Sequence, residues 1–211
     1  MHQKFELQYP NLSINWIIVD DGSNYDYSES INRLSEEGIK YQFSKHKVNR
    51  GKGQALRTAC EISSAEVIIF TDIDFPYEFE SFTAILDALL AKKADVVYGI
   101  RAKEYFNNIP SQRRLISSIV KRMNQILFKL PSPDTQCGLK GFLSTVRAEF
   151  LATRTNRYLI DLEFLHRVAR NPSISILPMH VSLHKGTKLG TLKLSSLVSE
   201  IADYLKIFLF Y

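Results

Sequence analysis

The 211 residues hold two cysteines, one tryptophan and no long apolar run. Cys60 and Cys137 lie far apart, without metal-ligand spacing. That excludes a disulfide-built scaffold and favours a reducing, cytoplasmic setting. No run of about 18 apolar residues occurs, so no segment is predicted to span a bilayer on its own. Met1-His2-Gln3-Lys4 lacks an apolar h-region, so no signal peptide is expected there. Helix-turn-helix, zinc-finger and RNP-type patterns are absent, so no nucleic-acid partner is expected despite a net charge of +5. His46, His166, His180 and His184 form no metal-spaced cluster and read as structural, and no repeats or low-complexity tracts occur.

Of what is present, 45% is apolar and 23% charged, enough for one domain with a sizeable core. The mild positive charge suits a phosphate-bearing ligand or an anionic membrane surface, and equally an ordinary solvated face. Ile14–Val19 is a short β-rich run that stops at the turn Asp20-Asp21-Gly22-Ser23. Ser28–Glu37 reads as a helix stopped by Gly38, and Ile39–Phe43 as a strand. Gly51-Lys52-Gly53 leads into a helix through Ile62. Glu66–Thr71 is a buried strand, a helix follows through Phe79–Leu89, and Asp95–Tyr98 is another strand. This β-α-β-α-β-α-β order predicts an α/β fold: a mostly parallel sheet with helices on both faces, and ligands at the strands' carboxyl ends.

The second half is less regular. It reads as a basic helix over Arg113–Leu130, a loop over Pro131–Gly141, a helix over Ile160–Arg170, and a strand over Ile174–Leu183 broken at Pro178. The main domain is taken as residues 1–191. An amphipathic helix over 192–211 follows, which packs on the domain or lies in a membrane interface as a peripheral contact.

Three clusters carry chemistry. Thr71-Asp72-Ile73-Asp74 sets carboxylates at i and i+2 past a strand, on one side. Such oxygens suit Mg²⁺ or Mn²⁺ bridging to a diphosphate, though a strand end makes similar turns without any ion. Asp20 and Asp21 could bond a base or ribose, or simply form an Asx-turn. Asn49-Arg50-Gly51-Lys52-Gly53 offers free amides and Lys52 to a phosphate, or is plain helix initiation. Cys137 has no nearby His partner and reads as a small buried residue.

Together these segments resemble the family 2 glycosyltransferases of GT-A fold, above all the branch that moves glucose or mannose onto a polyprenyl (dolichyl) phosphate. The matching segments, in family order, are VDDGS (19–23), NRGKGQALRTA (49–59), TDID (71–74), YGIR (98–101), Arg113-Arg114, DTQCGLKGF (134–142), IDLEF (160–164) and GTKLGTLKL (186–194). The resemblance implies a metal-dependent, inverting transfer from a nucleotide sugar such as UDP-glucose. Asp20 and Asp21 would hold the nucleoside, and Asp72 and Asp74 the metal and the diphosphate. Arg101 and Arg114 (or Arg113) would meet the acceptor phosphate, and Gln136 would face the sugar. Asp161 and Glu163 stand at the second acidic motif, and Lys188 would close over the phosphates. An acceptor phosphate is already anionic and needs positive charge and positioning rather than a base. A saccharide hydroxyl would need one, with Asp161 or Glu163 as candidates.

One departure matters. The family begins with a strand and a Pro-x-Tyr-Asn-Glu-like turn, and nothing of that kind precedes Asn15. Met1–Tyr9 reads as the tail of the helix that follows that strand. Its loss would leave unpaired strand edges and exposed apolar surface, and predicts weak nucleotide affinity. It also keeps open a second class, a non-catalytic relative acting as a binding module. In addition, Phe75-Pro76-Tyr77 lacks the polar residue some relatives carry after the second Asp. A sugar-nucleotide pyrophosphorylase would need a G-x-G-x-R-like loop near the start, which is absent.

Overall fold

The structure is a computed structural model that describes residues 1–101, 130, 132, 134–184 and 207. Its first half follows the expected alternation. Helix α1 (His2–Gln8) precedes β1 (Trp16–Asp20), α2 (Ser28–Glu36), β2 (Tyr41–Lys45), α3 (Lys52–Ile62), β3 (Val67–Phe70), α4 (Phe79–Leu90) and β4 (Val96–Arg101). After these come β5 (Lys140–Leu143), a 3₁₀ turn (Ser144–Val146), α5 (Arg147–Leu151), α6 (Ile160–Ala169) and β6 (Ile176–Val181). The expected helices over 113–130 and 192–211 lie outside the described residues, apart from Leu130 and Ile207.

The strands form two sheets. One is the parallel pair β1–β2; the other has the order β3-β5-β4-β6. In the larger sheet β4 and β6 run parallel, as expected. The loop expected over Pro131–Gly141 holds for its described residues up to Leu139, but Lys140 and Gly141 open β5 instead. This strand inserts antiparallel between β3 and β4, pairing Ile69 with Gly141 and Val97 with Gly141 on its two sides. Gly141 allows this because a Cβ there would stand 2.7 Å from Leu89 and about 3 Å from Ile69 and Ile85. The expected break at Pro178 does not occur. Pro178 pairs with Tyr98 inside β6, and among the described residues β6 is an edge strand, where a residue without N–H is tolerated.

The core lies on both faces of the larger sheet, as strand alternation requires. Val96, Tyr98 and Phe142 pack with Phe150, Phe164 and Leu162 on one face. Val97 and Leu139 pack with Phe82, Ile85 and Leu89 of α4 on the other. Most of these side chains have no exposed area, and each contributes roughly 1.5–3 kcal/mol. Ile207, the described residue of the C-terminal stretch, is 1% exposed within the first cluster. That one side chain is buried in the domain.

Every residue of β3 is only half-buried, as are the first four of β1, whereas the first four of β4 are fully buried. Among the described residues β1 pairs only with β2, and β3 only with β5. Near this split, Phe5 of α1 packs edge-on against Trp16 and against Phe79 and Phe82. Trp16 also meets Phe75, a residue at φ 43°. An aromatic cluster, not strand pairing, thus links the first sheet to α4. No helix among the described residues is long and apolar enough to cross a membrane.

Candidate active site

The ends of β1 and β3 are joined by the loop that starts α3. Asp21 receives the Arg50 amide (2.9 Å) and the Gly51 amide (2.6 Å). Its Oδ1 also lies 2.7 Å from His46 Nδ1, whose Nε2 is 3.0 Å from Thr58 Oγ1. Burial pushes the Asp21 carboxyl up, but the Arg50 amide, His46 and the Gly51 amide together hold it below the usual range. Asp20 is buried; its Oδ1 caps the Ser23 amide (2.9 Å) and its Oδ2 faces Lys45 (3.1 Å). The Ser23 amide is the main reason that its carboxyl is held low. Both aspartates hold loop backbone, and His46 bridges Asp21 to Thr58.

The glycines of this loop serve packing. Gly51 sits at φ 96°, ψ 155°, and a Cβ there would collide with the Asn156 carbonyl oxygen. One on Gly53 would collide with the Thr155 carbonyl oxygen, while the Gly53 amide donates to Asn156 O (2.8 Å). The Arg50, Gly51 and Gly53 amides are thus spent on protein oxygens, which corrects the expectation of free amides for a phosphate. The 153–156 segment is fixed in turn by two buried groups. Arg57 donates to Thr153 Oγ1, to Thr155 O (2.8 Å) and to Asn156 Oδ1. Glu163, with no exposed area, accepts the Arg154 and Thr155 amides at 2.7 Å each. Each of its oxygens accepts one amide, so Glu163 clamps this segment.

What remains available is Lys52. Its Nζ stands 2.9 Å from Asp72 Oδ1 and 3.7 Å from Asp161 Oδ2. Asp161 Oδ1 in turn stands 2.7 Å from Lys140 Nζ, and Lys140 has no exposed area. Lys140 also donates to the Cys137 carbonyl and lies over the Phe70 ring. The result is an alternating row: Asp72, Lys52, Asp161, Lys140. Burial alone would lower Lys52, but Asp161 and Asp72 outweigh it and hold the ammonium above the usual lysine range. Sequence reasoning placed Lys52, Asp72 and Asp161 here but missed Lys140. The available signal was a lysine inside the apolar run Leu139–Leu143, a charge that needs a buried partner.

Asp74 is exposed, and so is Ile73, at 79%. Asp72 is half-exposed and lies against Gly138, where a Cβ would collide with its Oδ2. Gly138 is held by its amide on Tyr77 Oη (2.7 Å), and Cys137 is a buried free thiol in contact with the same oxygen. Gln136 is exposed between buried neighbours. Arg101, ending β4, grips Asp134 through its Nε (3.0 Å), a terminal nitrogen (2.5 Å) and its backbone amide (2.8 Å). Asp134 thereby sets the aim of Arg101. Arg113, Arg114 and Lys188 lie outside the described residues.

No group of three or more His, Cys, Asp or Glu among the described residues could hold an ion by itself. The two oxygens-only residues Asp72 and Asp74, one of them cradled by a glycine, do fit a magnesium-type ion. Such ions take one or two carboxylates and complete their shell with water and substrate phosphate. Gly138→Ala should therefore displace the flexible Asp72 side chain rather than the backbone. Divalent-cation binding is expected to fall about tenfold or more with a small change in melting temperature. Calorimetry with Mn²⁺ alongside a thermal melt would check this.

Glycosyl transferase family 2 matches residues 4–150. A dolichyl-phosphate beta-glucosyltransferase of Trichomonas vaginalis is 25% identical over 94% of this chain and 63% of its own length. One from Dictyostelium discoideum is 28% identical over 71% and 49%, and one from Saccharomyces cerevisiae 26% identical over 82% and 58%. The chain thus spans about half to nearly two-thirds of these relatives. The crystal structure of mannosyl-3-phosphoglycerate synthase from Rubrobacter xylanophilus superposes with a TM-score of 0.66 at 11% identity, over 97% of this chain and 65% of that one. The α/β fold of GT-A type is therefore shared.

Proposed function

Because the chain belongs to glycosyl transferase family 2, we propose that it moves a sugar from a nucleotide-sugar donor, UDP-glucose or a close analogue, to a polyprenyl phosphate. Three relatives carry names of that acceptor class and sugar. The observation that carries the acceptor choice is Asp161. Its oxygens face Lys140 at 2.7 Å and Lys52 at 3.7 Å, and its side chain is 4% exposed. A carboxylate so engaged is poorly placed to take a proton from a saccharide hydroxyl. With Glu163 also occupied, neither acidic candidate is free to act as a base. An anionic phosphate acceptor needs none.

In this reading Asp72 and Asp74 hold Mg²⁺ or Mn²⁺ with the donor diphosphate. When bound, the ion supplies charge neutralisation for the departing nucleoside diphosphate. Lys52 adds positive charge beside it. Arg101, aimed by Asp134, meets the acceptor phosphate, and Gln136 faces the sugar. Positioning of the two reactants in line supplies much of the rate, and a single in-line attack inverts the anomeric centre. Asp20 and Asp21 bear on the nucleoside chiefly by fixing the 20–23 and 49–53 loops. The site of action proposed is the cytoplasmic face of a membrane, where a lipid phosphate is presented.

Labelled UDP-glucose offered with polyprenyl phosphate and with soluble saccharides tests the acceptor. Label is expected in the lipid fraction. Label in saccharide alone would refute the phosphate reading in favour of a hydroxyl acceptor. Label in neither, with intact fold and full-length chain, would favour the binding-module alternative.

A further inference from the structure

Lys52 lies between two carboxylates of different kinds. Asp161 is buried, and its other oxygen is fixed on a lysine with no exposed area. Asp72 is 43% exposed, and Lys52 itself 22%. Of the two pairs, Lys52–Asp72 is the one that solvent and ligands reach. Lys52 is the first residue of α3, and its four-carbon stem carries a compact charge that can change partners. A dication coordinating Asp72 through either oxygen would stand close to the ammonium that Lys52 holds 2.9 Å from Oδ1, and would repel it at that range. Asp161, already 3.7 Å away, can receive the ammonium on one side, and an arriving diphosphate can receive it on the other.

We propose that Lys52 is an exchangeable counterion of the carboxylate site. In the free protein it occupies Asp72 and competes with a divalent cation. When the cation arrives with a nucleoside diphosphate, Lys52 releases Asp72 and pairs with the phosphate oxygens. Lone cations are therefore bound weakly, and the cation–nucleotide pair is bound cooperatively. The inference rests on Asp72 and Asp74 being the cation site and adds the sign of Lys52's effect, which reverses with nucleotide.

The test is Mn²⁺ binding, read from the electron paramagnetic resonance of free Mn²⁺, with and without UDP. The proteins are wild type, Lys52→Gln, Lys52→Arg and Asp72→Asn, each checked by circular dichroism. Without UDP, Lys52→Gln is expected to bind Mn²⁺ roughly fivefold more tightly than wild type. The tightening that UDP causes in wild type should be largely lost in this variant. Lys52→Arg, whose fork holds a carboxylate more firmly, should bind Mn²⁺ more weakly than wild type without UDP, which keeps the test open if the glutamine variant does not fold. Equal or weaker Mn²⁺ binding by Lys52→Gln would overturn the exchange while leaving the cation site standing. Mn²⁺ binding that Asp72→Asn leaves unchanged would overturn both.

Discussion

Replacing Asp74 by asparagine is expected to cut sugar transfer on the order of a thousandfold and to leave the fold unchanged. The two halves of that expectation have separate grounds. Asp74 is exposed and follows Ile73, itself 79% exposed, so no packing depends on it. Substitutions at such positions alter stability by about 0.5 kcal/mol or less. The activity loss follows from charge. An amide keeps the shape but gives up the anion that a hard cation requires. Asp72→Asn would be a less clean probe, because it also deprives Lys52 of its 2.9 Å partner. Transfer rates at saturating donor, paired with a thermal melt, check the prediction. A variant within threefold of wild type would sink the role given to Asp74.

Gly51→Ala should give the largest loss of stability of any single methyl added to the site loops. Gly51 has φ 96° and ψ 155°, a region open essentially to glycine alone and costing about 1–3 kcal/mol for other residues. The added Cβ would also strike the backbone oxygen of Asn156, which cannot rotate away. That oxygen belongs to a segment held by Glu163 and Arg57, so the collision spreads into a buried network. Overpacking of this kind adds about 1–3 kcal/mol. The sum lowers the melting temperature by about 10 °C in a domain of this size. Gly38→Ala is the control. It has φ 69° but nothing within 4 Å of the added Cβ, so it should lose only the backbone term. If the two variants melt within about 2 °C of each other, the packing role of Gly51 is refuted.

The sequence showed the order of elements and where charged residues gather at strand ends, because both leave local patterns. Val67–Phe70 is an unbroken β-branched and aromatic run, and the Asp20-Asp21 and Asp72/Asp74 pairs sit at or just past strand ends. It did not show β5. Lys140 and Gly141 interrupt the apolar pattern there, one as a buried ion-pair partner and the other as the space into which α4 packs. Nor did it show where Asp21 and Glu163 point. Both are carboxylates held largely by backbone amides, Arg50 and Gly51 (beside His46) in one case and Arg154 and Thr155 in the other. An amide donor has no side-chain signature, so a carboxylate that clamps a loop looks in sequence like one that meets a ligand. The glycines of 51–53 were ambiguous for the same reason. Packing against Thr155 and Asn156 and cradling a phosphate both call for a missing Cβ.

The central proposal is that the carboxylate pair is a cation-dependent site for a nucleotide sugar, with a lipid phosphate as acceptor. The most direct measurement is transfer of labelled glucose from UDP-glucose to polyprenyl phosphate at saturating donor, with Mn²⁺ present and then removed by chelation. Labelled lipid is expected to disappear on chelation and to return when Mn²⁺ is restored. Labelled lipid formed at the same rate in chelator, by wild type and by Asp74→Asn alike, would contradict the proposal.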